Sequence, residues 1–202
     1  MAYASWVTPS KVSGSGDDTV SWTGSAHTGR NSRTTTATFA ASGVSPDKTL
    51  TIVQSGKTEF VDIADSASVA QGGGSVTITG TSNSSKLTFS ITGTDNIGLT
   101  LPASYLANSV STNNGAAITG DPGATQEYSF SITFTGINEN TSLSSLTSQI
   151  TVTTNNSTTD TCTITQAAGS PFLTISPTTI TIPAAGTAQS VTVSSNTSWT
   201  IS

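Results

Sequence analysis

Apolar and polar residues alternate along most of this chain, and turn-forming residues separate the alternating stretches. An alternation with a period of two predicts β-strands that bury one face. In the middle of the chain the pattern predicts strands near 60–63, 75–80, 86–92, 98–101, 128–135, 147–154 and 160–165. About seven short strands separated by turn signals are typical of an immunoglobulin-like sandwich.

Two stretches of the chain resemble each other, "TLTIVQSGKTEFVDI" at 49–63 and "TCTITQAAGSPFLTI" at 161–175. Gln54 matches Gln166 at a spacing of 112 positions, and the apolar positions of the two stretches keep that spacing. Each copy reads as a strand, a short linker with a glycine, and the first strand of a new domain. A repeat at constant spacing indicates tandem domains.

The similarity extends in both directions from this repeat. Residues 69–91 resemble 182–202, and the earlier matches are 6–9 with 99–102 and 37–40 with 150–153. The middle unit therefore runs from 58 to 169. Residues 1–57 match only its last two-thirds, and residues 170–202 match only its first third. We therefore predict an all-β chain of tandem immunoglobulin-like sandwiches, one complete and one split between the two ends.

The stretch "SSNTSWTIS" at 194–202 reads as a turn followed by a strand that has only begun. We expect the segment 170–202 to be donated to the 1–57 part of a neighbouring chain, as an added pair of strands. The linkers "SGKTE" and "AAGSP" are short, which disfavours closure within one chain. Closure within one chain and a longer protein that continues past Ser202 stay open as alternatives. A contact of this kind joins two different surfaces, so it closes into a ring or continues as a filament.

Strand alternation identifies the side chains that this exchange would bury. On the donated strands they are Leu173, Ile175, Ile180, Ile182, Val191, Val193, Trp199 and Ile201. The accepting core would be Trp6, Trp22, Phe39, Leu50 and Ile52. Burial of about eight such side chains contributes roughly 10–25 kcal/mol before entropy losses, which is enough for an obligate homo-oligomer.

The charge of the chain excludes two classes of partner. Charged residues are only 8% of the sequence, and the net charge is −5. Four lysines and two arginines cannot form a basic patch, so we expect neither nucleic acid nor an anionic membrane surface as a partner. The first ten residues lack the basic and apolar regions of a secretory signal, and no apolar run approaches the roughly 20 residues of a membrane span. We expect synthesis in a bacterial cytoplasm.

Few residues could carry catalysis or bind a metal. The single histidine, His27, has only arginines as charged neighbours and reads as a polar loop residue. Cys162 alternates with apolar residues and reads as a small buried hydrophobe. Glu59, Asp62 and Asp65 cluster near a domain boundary, where solvated loop charges are favoured over a calcium site. We therefore predict no enzyme activity and no cofactor.

Two further segments have an interpretation of their own. The stretch "QGGGS" at 71–75 lacks the lysine of a phosphate-binding loop and reads as a hairpin turn. Residues 105–127 read as a long loop that would face partners or solvent.

Trp6, Trp22 and Trp199 could form a sugar-stacking platform, but strand alternation favours packing in a core.

The quoted residues resemble those of BACON domains, immunoglobulin-like modules of Bacteroidetes and of the tailed, crAss-like phages that infect them. The matching features are the "SNTSW" turn with Trp199, the "WVTPS" stretch with Trp6 and Pro9, and the "T-I-x-Q" ending at Gln54 and again at Gln166. A proline after the first strand and a small-residue turn before "SVTV" match as well. The resemblance covers both units, with the middle one divergent.

The resemblance implies a β-sandwich fold and two hypotheses about function. The first is a structural protein of a phage virion, either an auxiliary or decoration protein of the capsid or a head fibre, with the major capsid protein or other virion proteins as partners. The second is a carbohydrate-binding module of a Bacteroidetes surface protein, and weak glycan binding is compatible with both. A binding module should be a monomer with an exposed aromatic strip. An assembly protein should be an oligomer that buries its tryptophans.

Overall fold

The computed structural model describes residues 3–202, and within that range the chain is all-β, with 44% of its residues in strands and no helix. No described helix could therefore cross a membrane. The strands are β1 (Val7–Pro9), β2 (Trp22–Gly24), β3 (Arg33–Phe39), β4 (Lys48–Gln54), β5 (Val61–Ile63), β6 (Ser66–Val69), β7 (Gly74–Ser82), β8 (Leu87–Thr92), β9 (Ser104–Ala107), β10 (Val110–Asn113), β11 (Tyr128–Ile137), β12 (Leu146–Thr154), β13 (Thr159–Gln166), β14 (Leu173–Ser176) and β15 (Thr192–Ser195).

Residues 58–169, which we call the central unit, form a sandwich-like pair of sheets. One sheet has five strands in the order β10-β9-β11-β7-β5, and the other has four in the order β6-β13-β12-β8. All pairings are antiparallel except β6 with β13, which is parallel. The chain therefore changes sheets between β5 and β6 and again between β6 and β7.

The core of the central unit lies between these two sheets. Alternate residues of the long strands point into it, as the sequence pattern predicts. On β11 these are Phe130, Ile132 and Phe134, each at most 3% exposed. The regular register of β11 with β7 is interrupted between Phe134 and Ile137, where Gly136 adopts a positive φ of 69° that favours glycine.

The two ends of the chain form small separate sheets. Residues 3–57, the N-terminal segment, contain the pairs β1-β2 and β3-β4, and residues 170–202, the C-terminal segment, contain the pair β14-β15. Val7 and Ala37 are the buried apolar residues described in the N-terminal segment, and no described apolar residue of the C-terminal segment is buried. With so few buried apolar residues, these segments lack a core of their own. A two-stranded sheet is marginally stable by itself.

The all-β prediction is confirmed, and so are most of the predicted strands of the central unit. The strand predicted at 98–101 is wrong. The side chain of Asp95 accepts hydrogen bonds from the backbone N–H groups of Gly98 at 3.0 Å and Leu99 at 2.8 Å. These two N–H groups are therefore not available for hydrogen bonds to a neighbouring strand. Leu99 still points into the core.

Three strands were not predicted. β9 and β10 form a hairpin inside the stretch 105–127, which the sequence pattern assigns to a loop. Their two-residue turn is Asn108-Ser109, with φ values of 49° and 66°, and without the usual glycine this turn gives little sequence signal. The third is the short edge strand β6.

The segment "QGGGS" is a turn between sheets, so its interpretation as a hairpin is wrong. It joins β6 of the four-stranded sheet to β7 of the five-stranded sheet. Gly73 donates to Ala70 O at 3.0 Å. A Cβ on Gly73 would collide with the backbone oxygen of Ile137, so this position requires glycine.

Candidate interaction surfaces at the two ends of the chain

The C-terminal strand pair β14-β15 repeats the pairing of β5 with β7. In the C-terminal segment the opposed pairs are Leu173–Ser195, Thr174–Ser194 and Ile175–Val193. In the central unit they are Val61–Ser82, Asp62–Thr81 and Ile63–Gly80. The first strand pair of the sandwich therefore occurs twice. In the central unit it belongs to a five-stranded sheet, and in the C-terminal segment it forms a two-stranded sheet.

An asparagine fixes both strand pairs in the same way. Asn83 Oδ1 accepts from Phe60 N at 2.8 Å, and its Nδ2 donates to Thr58 O at 3.1 Å. Asn196 Oδ1 accepts from Phe172 N at 2.9 Å, and its Nδ2 donates to Ser170 O at 3.1 Å. The preceding serine also repeats its contact, because Ser82 Oγ donates to Phe60 O and Ser195 Oγ donates to Phe172 O.

The turn that follows β6 in the central unit also recurs in the C-terminal segment. Gly186 donates to Pro183 O at 2.8 Å and has a φ of 73°. Gly73 makes the same bond to Ala70 with a φ of 77°. Since Phe172 follows Phe60 by 112 positions and Gly186 follows Gly73 by 113, the C-terminal copy carries one extra residue between them.

The two copies differ in burial. Ile63 is 1% exposed in the central unit, whereas its counterpart Ile175 is 50% exposed. The predicted donor residues are Leu173, Ile175, Ile180, Ile182, Val191, Trp199 and Ile201, which are exposed, and Val193, which is half-buried. The exposed donor residues whose counterparts are core in the central unit are Leu173, Ile175, Ile182 and Val191, which correspond to Val61, Ile63, Val69 and Ile78. By the same spacing, Trp199 and Ile201 correspond to Lys86 and Thr88, which lie outside the core.

The N-terminal segment also exposes apolar residues whose counterparts in the central unit are buried. β3 and β4 repeat β12 and β13, since Ala37 opposes Leu50 as Ile150 opposes Cys162. By the same register, Phe39 is the counterpart of Val152, yet Phe39 is 45% exposed and Val152 is fully buried. Leu50 is exposed and Ile52 is half-buried, while their counterparts in β13 are buried.

An open cleft of about 430 Å³ lies between the two strand pairs of the N-terminal segment. Tyr3, Val20, Trp22, Ala37 and Phe39 contribute to its lining. The Trp22 ring lies 5.3 Å from the Tyr3 ring and 6.5 Å from the Phe39 ring. The cleft is thus lined by an aromatic cluster that is open to solvent.

The remaining predicted acceptor, Trp6, lies outside that cleft. The guanidinium of Arg33 stands 4.5 Å from the centre of the Trp6 ring, a cation–π contact. Trp6 and Trp22 are half-buried, and Trp199 is 47% exposed. The three tryptophans are therefore neither fully buried nor aligned as one strip by any contact of the described residues.

Gln54 and Gln166 occupy matching positions at the ends of β4 and β13. Gln166 is 1% exposed and its Nε2 donates to Asn138 O at 2.7 Å and to Gln71 O at 3.3 Å. Gln54 Nε2 donates to Ser25 O at 2.9 Å, which is the counterpart of the bond to Asn138. Among the described residues, no bond of Gln54 corresponds to the one that Gln166 makes to Gln71.

A buried ion pair connects the N-terminal segment to the central unit. Arg30 Nε lies 3.0 Å from the carboxylate of Glu59, whose side chain is fully buried. The same guanidinium donates to Asp121 at 2.7 and 2.8 Å and to Asn83 O at 2.6 Å. Asp121 therefore raises the pKa of Arg30, and Arg30 in turn lowers the pKa of Asp121.

The prediction that Glu59 is a solvated loop charge is wrong. Besides Arg30, its carboxylate accepts from Ser84 Oγ at 2.9 Å and from Asn156 N at 3.0 Å. Asp62 and Asp65 are exposed, as predicted. Within residues 3–202, no three acidic, histidine or cysteine side chains lie together as metal ligands would.

The single cysteine of the sequence lies in the core, and the single histidine lies in a loop. Cys162 is fully buried, as predicted, and burial raises the pKa of its thiol to about 11. A thiol with a raised pKa is a poor nucleophile. His27 Nε2 lies 2.7 Å from Asn31 O in a loop.

Among the described residues, the strands of the two predicted surfaces do not pair with each other within one chain. In the part of the chain that the structure describes, β14-β15 forms its own sheet and pairs with no strand of the N-terminal segment. A scan against protein-family models found no match for this chain. A search of curated proteins found no significant match either.

Proposed function

We propose that this chain is a structural protein of a phage virion, an auxiliary or decoration protein of the capsid or a head fibre, that assembles by strand exchange. In this proposal the chain consists of tandem immunoglobulin-like sandwiches, one complete and one split. The C-terminal segment of one copy supplies the first strands of the sandwich whose last two-thirds are residues 1–57 of another. The single observation that carries the assembly step is that each end exposes apolar residues, such as Ile175 and Phe39, whose counterparts Ile63 and Val152 are core in the central unit.

The physical argument for assembly is the cost of leaving these faces in water. Contiguous exposed apolar patches on soluble proteins mark interaction sites. The C-terminal segment exposes seven large apolar donor residues, and the N-terminal segment leaves an aromatic cleft open beside Phe39. Each surface lacks what the other supplies, so the pair supports one shared interface better than two unrelated ones.

The partner is proposed to be a second copy because each surface is built from a repeat of the same domain. The C-terminal strand pair β14-β15 keeps the pairing and the asparagine contacts of the first strands of the central unit. β3 and β4 keep the register of the strands that end it. Formation of the pair within one chain would require the C-terminal segment to reach across the central unit.

The virion location rests on the resemblance to BACON domains of phages and on the surface composition. The exposed strand faces carry mostly Thr, Ser and Asn, and the net charge is −5. Such a surface fits a non-enzymatic protein that contacts other virion proteins, with neither nucleic acid nor a membrane as partner. Carbohydrate binding by a surface module is the second candidate, and the 47% exposure of Trp199 is the observation in its favour.

The first experiment is light-scattering measurement of native mass for the complete chain and for a version truncated after Gly169. Assembly predicts a discrete oligomer or filament for the complete chain, and a monomer or an aggregate for the truncated one. A well-folded monomer in both cases would rule out strand exchange. Titration of the complete chain with host glycans, followed by tryptophan fluorescence, tests the second candidate.

The virion location needs a separate measurement. Mass spectrometry of purified particles of a tailed phage that encodes this chain should find its peptides at a fixed ratio to the major capsid protein. Absence of the peptides from intact particles would contradict the location while leaving the assembly step intact.

A further inference from the structure

We infer that the exchanged segment binds in one defined register, with Thr179–Ile182 of one copy parallel to Thr51–Gln54 of the next. Gln54 would determine the register by donating a hydrogen bond to the backbone of the incoming chain at Pro183 or Ala184. This inference rests on the proposed strand exchange. It adds an interaction surface at the edge of β4 and a role for a residue at the end of that strand.

The template for this register is the parallel pair β6-β13 in the central unit. There the opposed residues are Ser66–Thr163, Ala67–Ile164, Ser68–Thr165 and Val69–Gln166. The backbone continues the pairing on both sides, because Thr163 N donates to Asp65 O at 2.9 Å and Ala167 N donates to Val69 O at 3.0 Å.

The repeat fixes which residues of the two ends take these places. On the accepting side, the register of β3 with β4 identifies Thr51–Gln54 with Thr163–Gln166. On the donated side, the turn that ends at Gly186 corresponds to the turn that ends at Gly73. Counting back from this turn identifies Thr179–Ile182 with β6.

The side-chain pattern agrees with this identification. Ile180 and Ile182 take the positions of Ala67 and Val69, which point into the sandwich. Thr179 and Thr181 take the positions of Ser66 and Ser68, which are exposed. A shift of one residue would turn both isoleucines to solvent, so the apolar pattern permits this register and excludes its immediate neighbours.

The hydrogen bonds of Gln166 support the same register for Gln54. Gln166 Nε2 donates to carbonyls of the turn after β6, Gln71 O at 3.3 Å and Ala70 O at 3.5 Å. Their counterparts are Ala184 and Pro183 of the incoming chain. Gln54 already matches Gln166 in its bond to Ser25 O at 2.9 Å, and an amide nitrogen can donate two hydrogen bonds.

Cysteine cross-linking tests the register. Val53 and Thr181 take the places of Thr165 and Ser68, which oppose each other on the exposed face. The double variant V53C/T181C should form a ladder of disulfide-linked chains under mild oxidation, and so should T51C/T179C. The control T51C/T181C, two residues out of register, should form the ladder at least tenfold more slowly, since the added separation is about 6–7 Å along a strand. The native Cys162 is fully buried and should not react.

The substitution Gln54→Glu tests the role of the amide. Glutamate keeps the oxygen that accepts from Arg33 Nε at 2.9 Å but has no hydrogen to donate. We expect association to weaken roughly tenfold or more, which corresponds to the loss of one buried hydrogen bond.

The outcomes separate this inference from the proposal beneath it. Ladders from the in-register pairs, with a slow control, support the register. An oligomer that cross-links equally well in all three variants, or best in the control, overturns the register but leaves strand exchange standing. A chain that is monomeric by light scattering and forms no ladder overturns both.

Discussion

Arg30 Nε stands 3.0 Å from the carboxylate of Glu59, an acidic group whose side chain has no exposure to solvent. The pair joins a loop of the N-terminal segment to the first residues of the central unit. A buried carboxylate without a partner is costly. Loss of Arg30 from the N-terminal segment should therefore lower the stability of the central unit.

Replacement of Arg30 by methionine should lower the free energy of unfolding of the chain by about 3–5 kcal/mol, the usual cost of breaking a buried ion pair. Urea denaturation followed by circular dichroism measures the change. The matched control is Lys11→Met, because Lys11 pairs with Asp18 at an exposed site, where loss of the pair costs at most about 1 kcal/mol. Equal effects of the two substitutions would contradict a structural role for the Arg30–Glu59 pair.

Asp121 should make the stability of the chain depend on pH in the acid range. Its hydrogen bonds from Arg30 lower its pKa below the ordinary value of 3.8. A carboxyl with a lowered pKa in the folded state stabilises the fold above its unfolded pKa, and the contribution is lost as pH falls through the folded pKa. The stability difference between the native chain and Asp121→Asn should therefore be constant near neutral pH and shrink in acid. A difference that is unchanged in acid would show that the charge of Asp121 contributes nothing.

The two repeated asparagines should differ in their importance for a single chain. Asn83 is buried and also donates to Ala124 O at 2.9 Å, so Asn83→Ala leaves several buried groups without partners and should cost about 2–4 kcal/mol. Asn196 makes its bonds at an exposed site, so Asn196→Ala should cost under about 1 kcal/mol in a dissociated chain. Thermal unfolding at low protein concentration compares them. Similar large losses would mean that Asn196 and the strand pair β14-β15 are already buried in the dissociated chain.

The amino-acid sequence predicts those strands whose apolar residues alternate without interruption, such as β11 and β12. The prediction fails where a local side-chain hydrogen bond or a tight turn determines the backbone conformation. Asp95 closes a loop at 98–101 by binding two backbone N–H groups, and Asn108-Ser109 makes a tight turn without glycine. Neither feature changes the hydrophobic pattern, so pattern reading cannot detect them.

The repeat allows each apolar residue of the two ends to be compared with a counterpart in the central unit, and this comparison is the basis of the predicted surfaces. The sequence shows the match of Gln54 with Gln166, but the hydrogen bonds of Gln166 that identify an accepting edge at β4 are visible only in the structure. The Arg30–Glu59 pair was missed. The two residues are 29 positions apart, and nothing in the sequence near Glu59 distinguishes a buried carboxylate from an exposed one.

Adjacent residues of β14 provide the sharpest test of assembly. Ile175 and Thr174 are both exposed in the single chain, so an aspartate at either position should have the same small effect on a monomer. In the exchanged sandwich, Ile175 takes the place of the buried Ile63, whereas Thr174 takes the place of Asp62, an exposed position that already holds an aspartate in the central unit.

We therefore expect Ile175→Asp to weaken association at least 100-fold, because it places a carboxylate in an apolar core at a cost of several kcal/mol. Thr174→Asp should leave association within about threefold of the native value, as exposed substitutions usually do. Sedimentation or light scattering over a range of protein concentrations measures both constants. If the two variants associate equally well, the apolar face of β14 is not buried in the assembly, and strand exchange through this strand pair is ruled out.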